Sequence, residues 1–149
     1  MMMQATVYGP PQTMGSKRGF IVGKRVVITD TKGKTLKTFQ ESMREAMREC
    51  KPDVPHTGPM AYDLEIVLRR PKSHYRTGKN SGELRADAPY YCTTKPDKDK
   101  VERAVFDCGT GIWYRDDSQI CFCDGSVKRY AHHGEEEHTT IKVRLLEVE

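Results

Sequence analysis

The amino-acid sequence predicts an α+β fold: a mixed β-sheet of about five to six strands with two main α-helices packed on it, in one domain over residues 1–149. Three observations point there. Several short stretches alternate apolar and polar residues at the two-residue period of a strand. Two longer stretches space apolar residues three and four apart, as a helix does. Gly- and Pro-rich breaks separate them. Strands interspersed with two helices, without an internal repeat, make a sheet with helices on it the natural architecture. A chain of 149 residues is one ordinary domain, and it buries about two-thirds of its unfolded surface.

Taken in order, residues 4–8 form a short strand that Gly9-Pro10-Pro11 breaks, and a Gly/Ser/Lys/Arg-rich loop follows over 13–19. Residues 20–22 and 25–29 flank Gly23-Lys24 as a hairpin, and 30–34 is a polar turn. Leu36, Phe39, Met43, Ala46, Met47 and Cys50 recur at helical spacing; Thr38-x-x-Glu41 reads as a capping box at its start or second turn, and Pro52 and Pro55 end it. Tyr62, Leu64, Ile66 and Leu68 alternate with Asp63, Glu65 and Arg69, a strand half-exposed on one face. A second helix begins near Asp97 with Val101, Ala104, Val105 and Cys108 on one face, and Gly109-Thr110-Gly111 stops it. Residues 119–127 and 139–148 alternate as two strands joined by a hairpin tip around Gly134.

Between the middle strand and the second helix lies a long polar stretch, expected as a flexible basic loop over about 70–94. It is rich in Arg and Lys and interleaved with His74, Tyr75, Tyr90 and Tyr91, a composition that suits contact with nucleic acid.

Charge is divided unevenly. Residues 1–100 hold 19 Lys and Arg against 11 Asp and Glu, and residues 101–149 hold 6 against 10, which together give the net charge of +4. A basic first part beside an acidic last part points to a polyanionic partner and a carboxylate cluster. No apolar run approaches the ~18 residues of a membrane span. The opening Met1-Met2-Met3-Gln4 has no charged or apolar leader region, so no secretory signal, and a cytoplasmic location, are expected. The five cysteines are odd in number and irregular in spacing, so disulfides are not expected. Cys121-x-Cys123 with His132-His133 lacks the paired C-x₂-C spacing of structural zinc sites, and ordinary packing is the expectation for the two cysteines.

Four aspartates carry the chemistry. Asp97 and Asp99 flank Lys98, Asp116 and Asp117 follow Trp113-Tyr114-Arg115, and one helix runs between the pairs. The reading is that helix and turn bring both pairs to one end of the sheet. Carboxylate oxygens are the ligands that Mg²⁺ prefers, and like charges so close need a cation or a shared proton. Taken singly, either pair is equally explained as a helix cap or a turn.

The run Thr94-Lys95-Pro96-Asp97-Lys98-Asp99, then Ala104-Val105-x-Asp107, Trp113-Tyr114-Arg115-Asp116-Asp117-Ser118-Gln119-Ile120 and Lys128-x-Tyr130 resembles the RusA-like family of Holliday-junction resolvases, as does Tyr8-Gly9-Pro10-Pro11 near the start. The resemblance implies a small homodimeric endonuclease of phage or prophage type, dependent on Mg²⁺ (with Mn²⁺ as a substitute). It would resolve four-way DNA junctions by paired nicks, without a small-molecule cofactor or a membrane. It implies metal ligation by Asp97, Asp99 and Asp117, with Asp116 beside the last, and it aligns Asp107 with a further acidic position and Lys128 with a recurrent basic one. Two positions depart from the family pattern: Lys100 stands where Asn is usual, and Arg103 where Lys is usual. Arg keeps the positive charge but does not give up a proton, so Arg103 is expected to stabilise charge on the phosphate. Lys95, Lys98, Lys100 and Lys128 are expected phosphate contacts near the site. Lys17, Arg18, Arg69, Arg70, Lys72, Arg76 and Lys79 are expected along the junction arms. A non-cleaving junction-binding module of the same fold is the alternative.

Overall fold

The computed structural model describes residues 1–14, 17–22, 25–30 and 33–147, with backbone alone for 17–22, 25–30, 33 and 34. Six strands and two main helices follow in order: β1 (Met2–Tyr8), β2 (Lys17–Val22), β3 (Arg25–Asp30), α1 (Gly33–Arg48), β4 (Met60–Leu68), α2 (Lys98–Gly109), β5 (Ile120–Tyr130) and β6 (His138–Leu145). The fold is α+β as expected, but among the described residues its main sheet has four strands, in the order β1-β6-β4-β5, and β2 and β3 pair only with each other.

The sheet is mixed. β6 runs antiparallel to both β1 and β4, and β5 runs parallel to β4. A parallel pair needs a crossover, and α2 with its flanking loops supplies it. This corrects the hairpin expected between the last two strands. Alternation told correctly that each is a strand, but it is silent on partners, and β4 lies between them. Their connection crosses the end of β4, where the Ala131 amide donates to the Leu68 carbonyl and the Arg69 amide to Glu137. β4 is central in the sheet and half-exposed on one face as expected: Leu64, Ile66 and Leu68 are buried, while Asp63 and Glu65 stay partly exposed.

The helices pack on one face of this sheet. Leu36, Phe39, Met43 and Met47 of α1 join Val101, Ala104, Val105 and Cys108 of α2, Met3, Ala5 and Val7 of β1, and Ile141 and Val143 of β6 in one core. Each set has the spacing of its element, three or four residues on helices and two on strands. Thr38 falls inside α1, so the expected capping box does not start the helix, and Cys50 lies beyond its end, exposed. On the other side of the sheet, Arg129 is buried. Its guanidinium binds both Glu135 oxygens at 2.7 and 2.9 Å and approaches Glu65 at 3.4 Å. That pairing pulls the Glu135 carboxyl down to about 2 and ties the β5–β6 connection to the sheet.

The long stretch before α2 is more ordered than a plain flexible loop. It holds two short 3₁₀ turns and a Tyr75–Leu84 bridge. Arg70 clamps it, donating to the carbonyls of Ala131 (2.8 Å) and Pro89 (2.7 Å) and lying over the Tyr130 ring.

Candidate active site

Asp97 sits at the N-cap position of α2 with extended backbone, yet its carboxylate accepts no capping hydrogen bond. It faces Lys100 instead, 3.4 Å away. Asp99 is exposed in the first turn with no cationic partner among the described residues. Both gain from the helix dipole. The preceding loop is held from the sheet: the Lys128 ammonium on β5 donates to the carbonyls of Thr94 (2.5 Å) and Pro96 (2.7 Å). Lys98 points the other way, to Glu102 and to the Ser126 hydroxyl at 2.9 Å. Burial opposes ionisation of Glu102, but hydrogen bonds from Lys98, Ser126 and Tyr62 outweigh it and hold the carboxyl below its usual range. Arg103 is exposed four residues after Asp99, on the same face of the helix.

The second pair occupies a 3₁₀ turn over Asp117–Gln119. Asp116 caps it, accepting from the Ser118 amide at 2.9 Å, while the Gln119 side chain accepts from the amides of Arg115 and Asp116. Gln119 also donates to the carbonyls of His56 and Gly58, bolting the turn to the segment before β4. Upstream, Trp113 is fully buried and donates to the Met47 carbonyl at 2.9 Å, and the Tyr114 hydroxyl donates to the Phe106 carbonyl. Tyr114 lies so close on Gly109 that a Cβ there would fall 2.4 Å from its ring. The two carboxylates titrate in opposite directions. The Ser118 amide lowers Asp116. Partial withdrawal from solvent raises Asp117, and the neighbouring Asp116 and Asp107 raise it further.

The structure does not bring the two pairs together within one chain. Asp97 precedes the first turn of α2, whereas Asp117 is electrostatically coupled to Asp107 in the last turn. Ten residues at 1.5 Å each separate those ends by about 15 Å. β5 gives the same answer, since the turn enters its first residue and Lys128, which holds the Asp97 loop, lies near its last. No group of three metal-ligating side chains forms among the described residues. The sequence reading overlooked the length of the intervening helix.

The predicted DNA contacts divide similarly. Lys95, Arg69, Lys72 and Lys79 are exposed. Arg76 pairs with Glu83 at 2.9 Å, Arg70 and Lys128 hold loop carbonyls, and Lys98 pairs with Glu102 while its side chain stays partly exposed. Lys17 and Arg18 lie in β2, outside the described side chains. Cys121 and Cys123 are exposed rather than packed. The sequence reading missed Glu102; its four-residue spacing from Lys98 was the available signal.

A sequence model of the family described as endodeoxyribonuclease RusA matches residues 9–144. The chain belongs to the RusA endodeoxyribonuclease family. A curated relative, the uncharacterized protein YqaN of Bacillus subtilis (strain 168), is 30% identical over 139 residues, covering 93% of each chain. RusA-family membership makes the chain an endonuclease, a hydrolase of DNA, with branched junctions as its family's substrate. No helix among the described residues is long and apolar enough to cross a membrane.

Proposed function

We propose that the chain is a Mg²⁺-dependent, structure-specific endodeoxyribonuclease that resolves four-way DNA junctions by paired symmetric nicks. It acts as a homodimer, in the cytoplasm of a bacterial cell or phage-infected host. The observation that carries this reading is the separation of the acidic pairs along α2, with an open strand edge between them. β5 is the last strand of the sheet. Backbone contacts from 90–92 cover its outer edge at residues 128–130, while Cys121, Phe122, Cys123 and Asp124 are exposed. A second copy laid antiparallel along that edge, about a two-fold axis near Cys123, carries its Asp116-Asp117 turn to the Asp97 loop of the first. The operation is reciprocal. Two complete acid sets result, and a two-fold symmetric substrate with two scissile bonds asks for two.

The donor set suits Mg²⁺: all ligands are hard carboxylate oxygens, and the Asp117 carboxyl, raised by partial burial and then by Asp116 and Asp107, would be relieved by a cation. Asp97 and Asp99 of one copy, with Asp117 and Asp116 of the other, would hold it, and Mn²⁺ meets the same oxygen ligands. When bound, the cation polarises the phosphodiester and acidifies a water. Arg103 offers a fixed fork to a phosphate oxygen on the Asp99 face. Lys128 keeps Asp97 in place through its grip on the loop. Lys95, Lys100, Arg69, Lys72 and Lys79 meet backbone phosphates, which makes binding steeply salt-dependent and directed to shape rather than sequence.

The test is complementation. Asp97→Asn and Asp117→Asn, each inactive alone on a synthetic four-way junction with Mg²⁺, are co-expressed. A site shared between copies regains about a quarter of wild-type nicking, since half the dimers are mixed and each mixed dimer holds one intact site. No regain sinks the shared site. Tight junction binding without nicks by the wild type, with either Mg²⁺ or Mn²⁺, identifies the non-cleaving module instead.

A further inference from the structure

We propose that Tyr90 and Tyr91 form an aromatic platform that stacks on a nucleobase left open at the branch point of the DNA, and so separates branched from linear substrate. This rests on the junction-endonuclease reading above and adds the element that senses the branch. Tyr90 and Tyr91 are 45% and 61% exposed. Their rings meet edge to face, centroids 4.7 Å apart, and Tyr90 also approaches the exposed His132 ring at 5.8 Å. Neither hydroxyl makes a hydrogen bond among the described residues.

Slack in the loop does not explain this exposure. The Tyr90 carbonyl accepts from the Tyr130 amide at 2.9 Å, Tyr91 bridges Arg129, and the Cys92 amide donates to Lys128 at 3.2 Å. Arg70 holds the adjacent Pro89 carbonyl, and Cys92 is buried. The backbone is thus fixed on the sheet edge while two large rings stand in solvent. Two large rings held side by side in solvent offer a surface that a partner can cover.

Position and charge choose the partner. Lys128, whose carbonyl receives the Cys92 amide, is the residue that holds Thr94 and Pro96 beside Asp97. The platform therefore adjoins the acidic site through a single stretch of strand. Exposed Lys95 follows four residues after Tyr91, and Lys95 and exposed Arg69 line a cleft of about 370 Å³ together with Cys92, the residue after Tyr91. Aromatic rings next to a basic groove are the usual means of binding a base with its phosphate. In a linear duplex every interior base is covered by its neighbours. A branch exposes the face of the end pair of each arm, and an aromatic ring can cover it.

The test uses full-length protein without divalent metal, so that no DNA is cut. A four-way junction with 2-aminopurine at the branch point and a matched linear duplex are titrated, following binding by anisotropy and stacking by 2-aminopurine fluorescence. The wild type is expected to prefer the junction and to change the fluorescence. Tyr91→Ala, and Tyr91→Leu as an apolar control without a π face, are expected to weaken junction binding about tenfold, leave duplex binding within twofold and abolish most of the fluorescence change, with Tyr91→Trp restoring it. If the variants keep the wild-type junction preference and fluorescence change, the platform is refuted while the endonuclease reading stands. If the wild type shows no junction preference, both fall.

Discussion

The two ends of α2 carry the same residue type in opposite settings. At the N-terminal end, Asp97 and Asp99 stand on the favourable pole of the helix dipole with Lys100 alongside and Lys128 behind the loop. At the C-terminal end, Asp117 has Asp116 and Asp107 for neighbours, and its carboxyl is raised. One end is built to keep negative charge comfortable, and the other accumulates it. A shared cation is the simplest way to relieve the second with the first. The lesson is that matching residues in a motif need not share an environment, and a site can be divided between places that differ in exactly the property the chemistry needs to balance.

That contrast is open to direct attack. The largest effect is expected from Asp97→Asn or Asp117→Asn, each lowering nicking about a thousandfold, the loss of several kcal/mol of metal-assisted stabilisation, with junction affinity little changed in a gel-shift titration. An effect at only one end would break the pairing. Gly109→Ala should strike the C-terminal end alone. Its Cβ drives into Tyr114, and an overpacked core costs about 3 kcal/mol, read as a lowered denaturation midpoint together with lost nicking.

Lys128→Gln is the counterpart at the other end. Releasing the Thr94 and Pro96 carbonyls should lower the nicking rate about tenfold, as loss of supporting shells does, while the thermal midpoint moves little.

A smaller effect comes from pH. The folded-state pKa of Asp117 lies above its unfolded value, so its contribution to stability is fully present below the unfolded pKa and is lost as pH rises through the folded one. Metal-free wild type should therefore lose this contribution towards neutral pH. Asp117→Asn should remove that slope, and thermal melts at pH 3 to 7 decide. The smallest change is expected for Lys100→Ala. An exposed pair of this kind contributes about 0.2–1 kcal/mol, so nicking should stay within about threefold; a larger loss would assign Lys100 a part in the chemistry.

Much of this was legible in the sequence because the signal was local. Leu36 to Met47 and Val101 to Cys108 repeat at helical spacing and are buried together. Val7, Leu64 and Ile141 alternate in strands that exist. The motif aspartates stand out by residue type alone. What was not legible depends on partners remote in the chain. Alternation in β5 and β6 cannot reveal that β4 separates them. Cys121 and Cys123 look like packing residues until β5 proves to be an edge. The two acid pairs look adjacent because the 16 residues between Asp99 and Asp116 conceal a rigid rod. Arg70 and Lys98 read as surface cations, and only the folded chain shows them spent on Ala131, Pro89 and Glu102.

The position of β6 has a consequence for how the enzyme comes into being on the ribosome. It follows β1, β4 and β5 in the chain, yet it is the only described partner of β1 and one of two neighbours of β4. Until it emerges, the first strand has nothing to pair with and the central strand lacks one flank. The nascent chain therefore carries every acidic residue of the motif before β1 can join the sheet. Closing the sheet waits on β6, and pairings as remote as Met2 with Arg144 make that step slow relative to a helical protein of equal length.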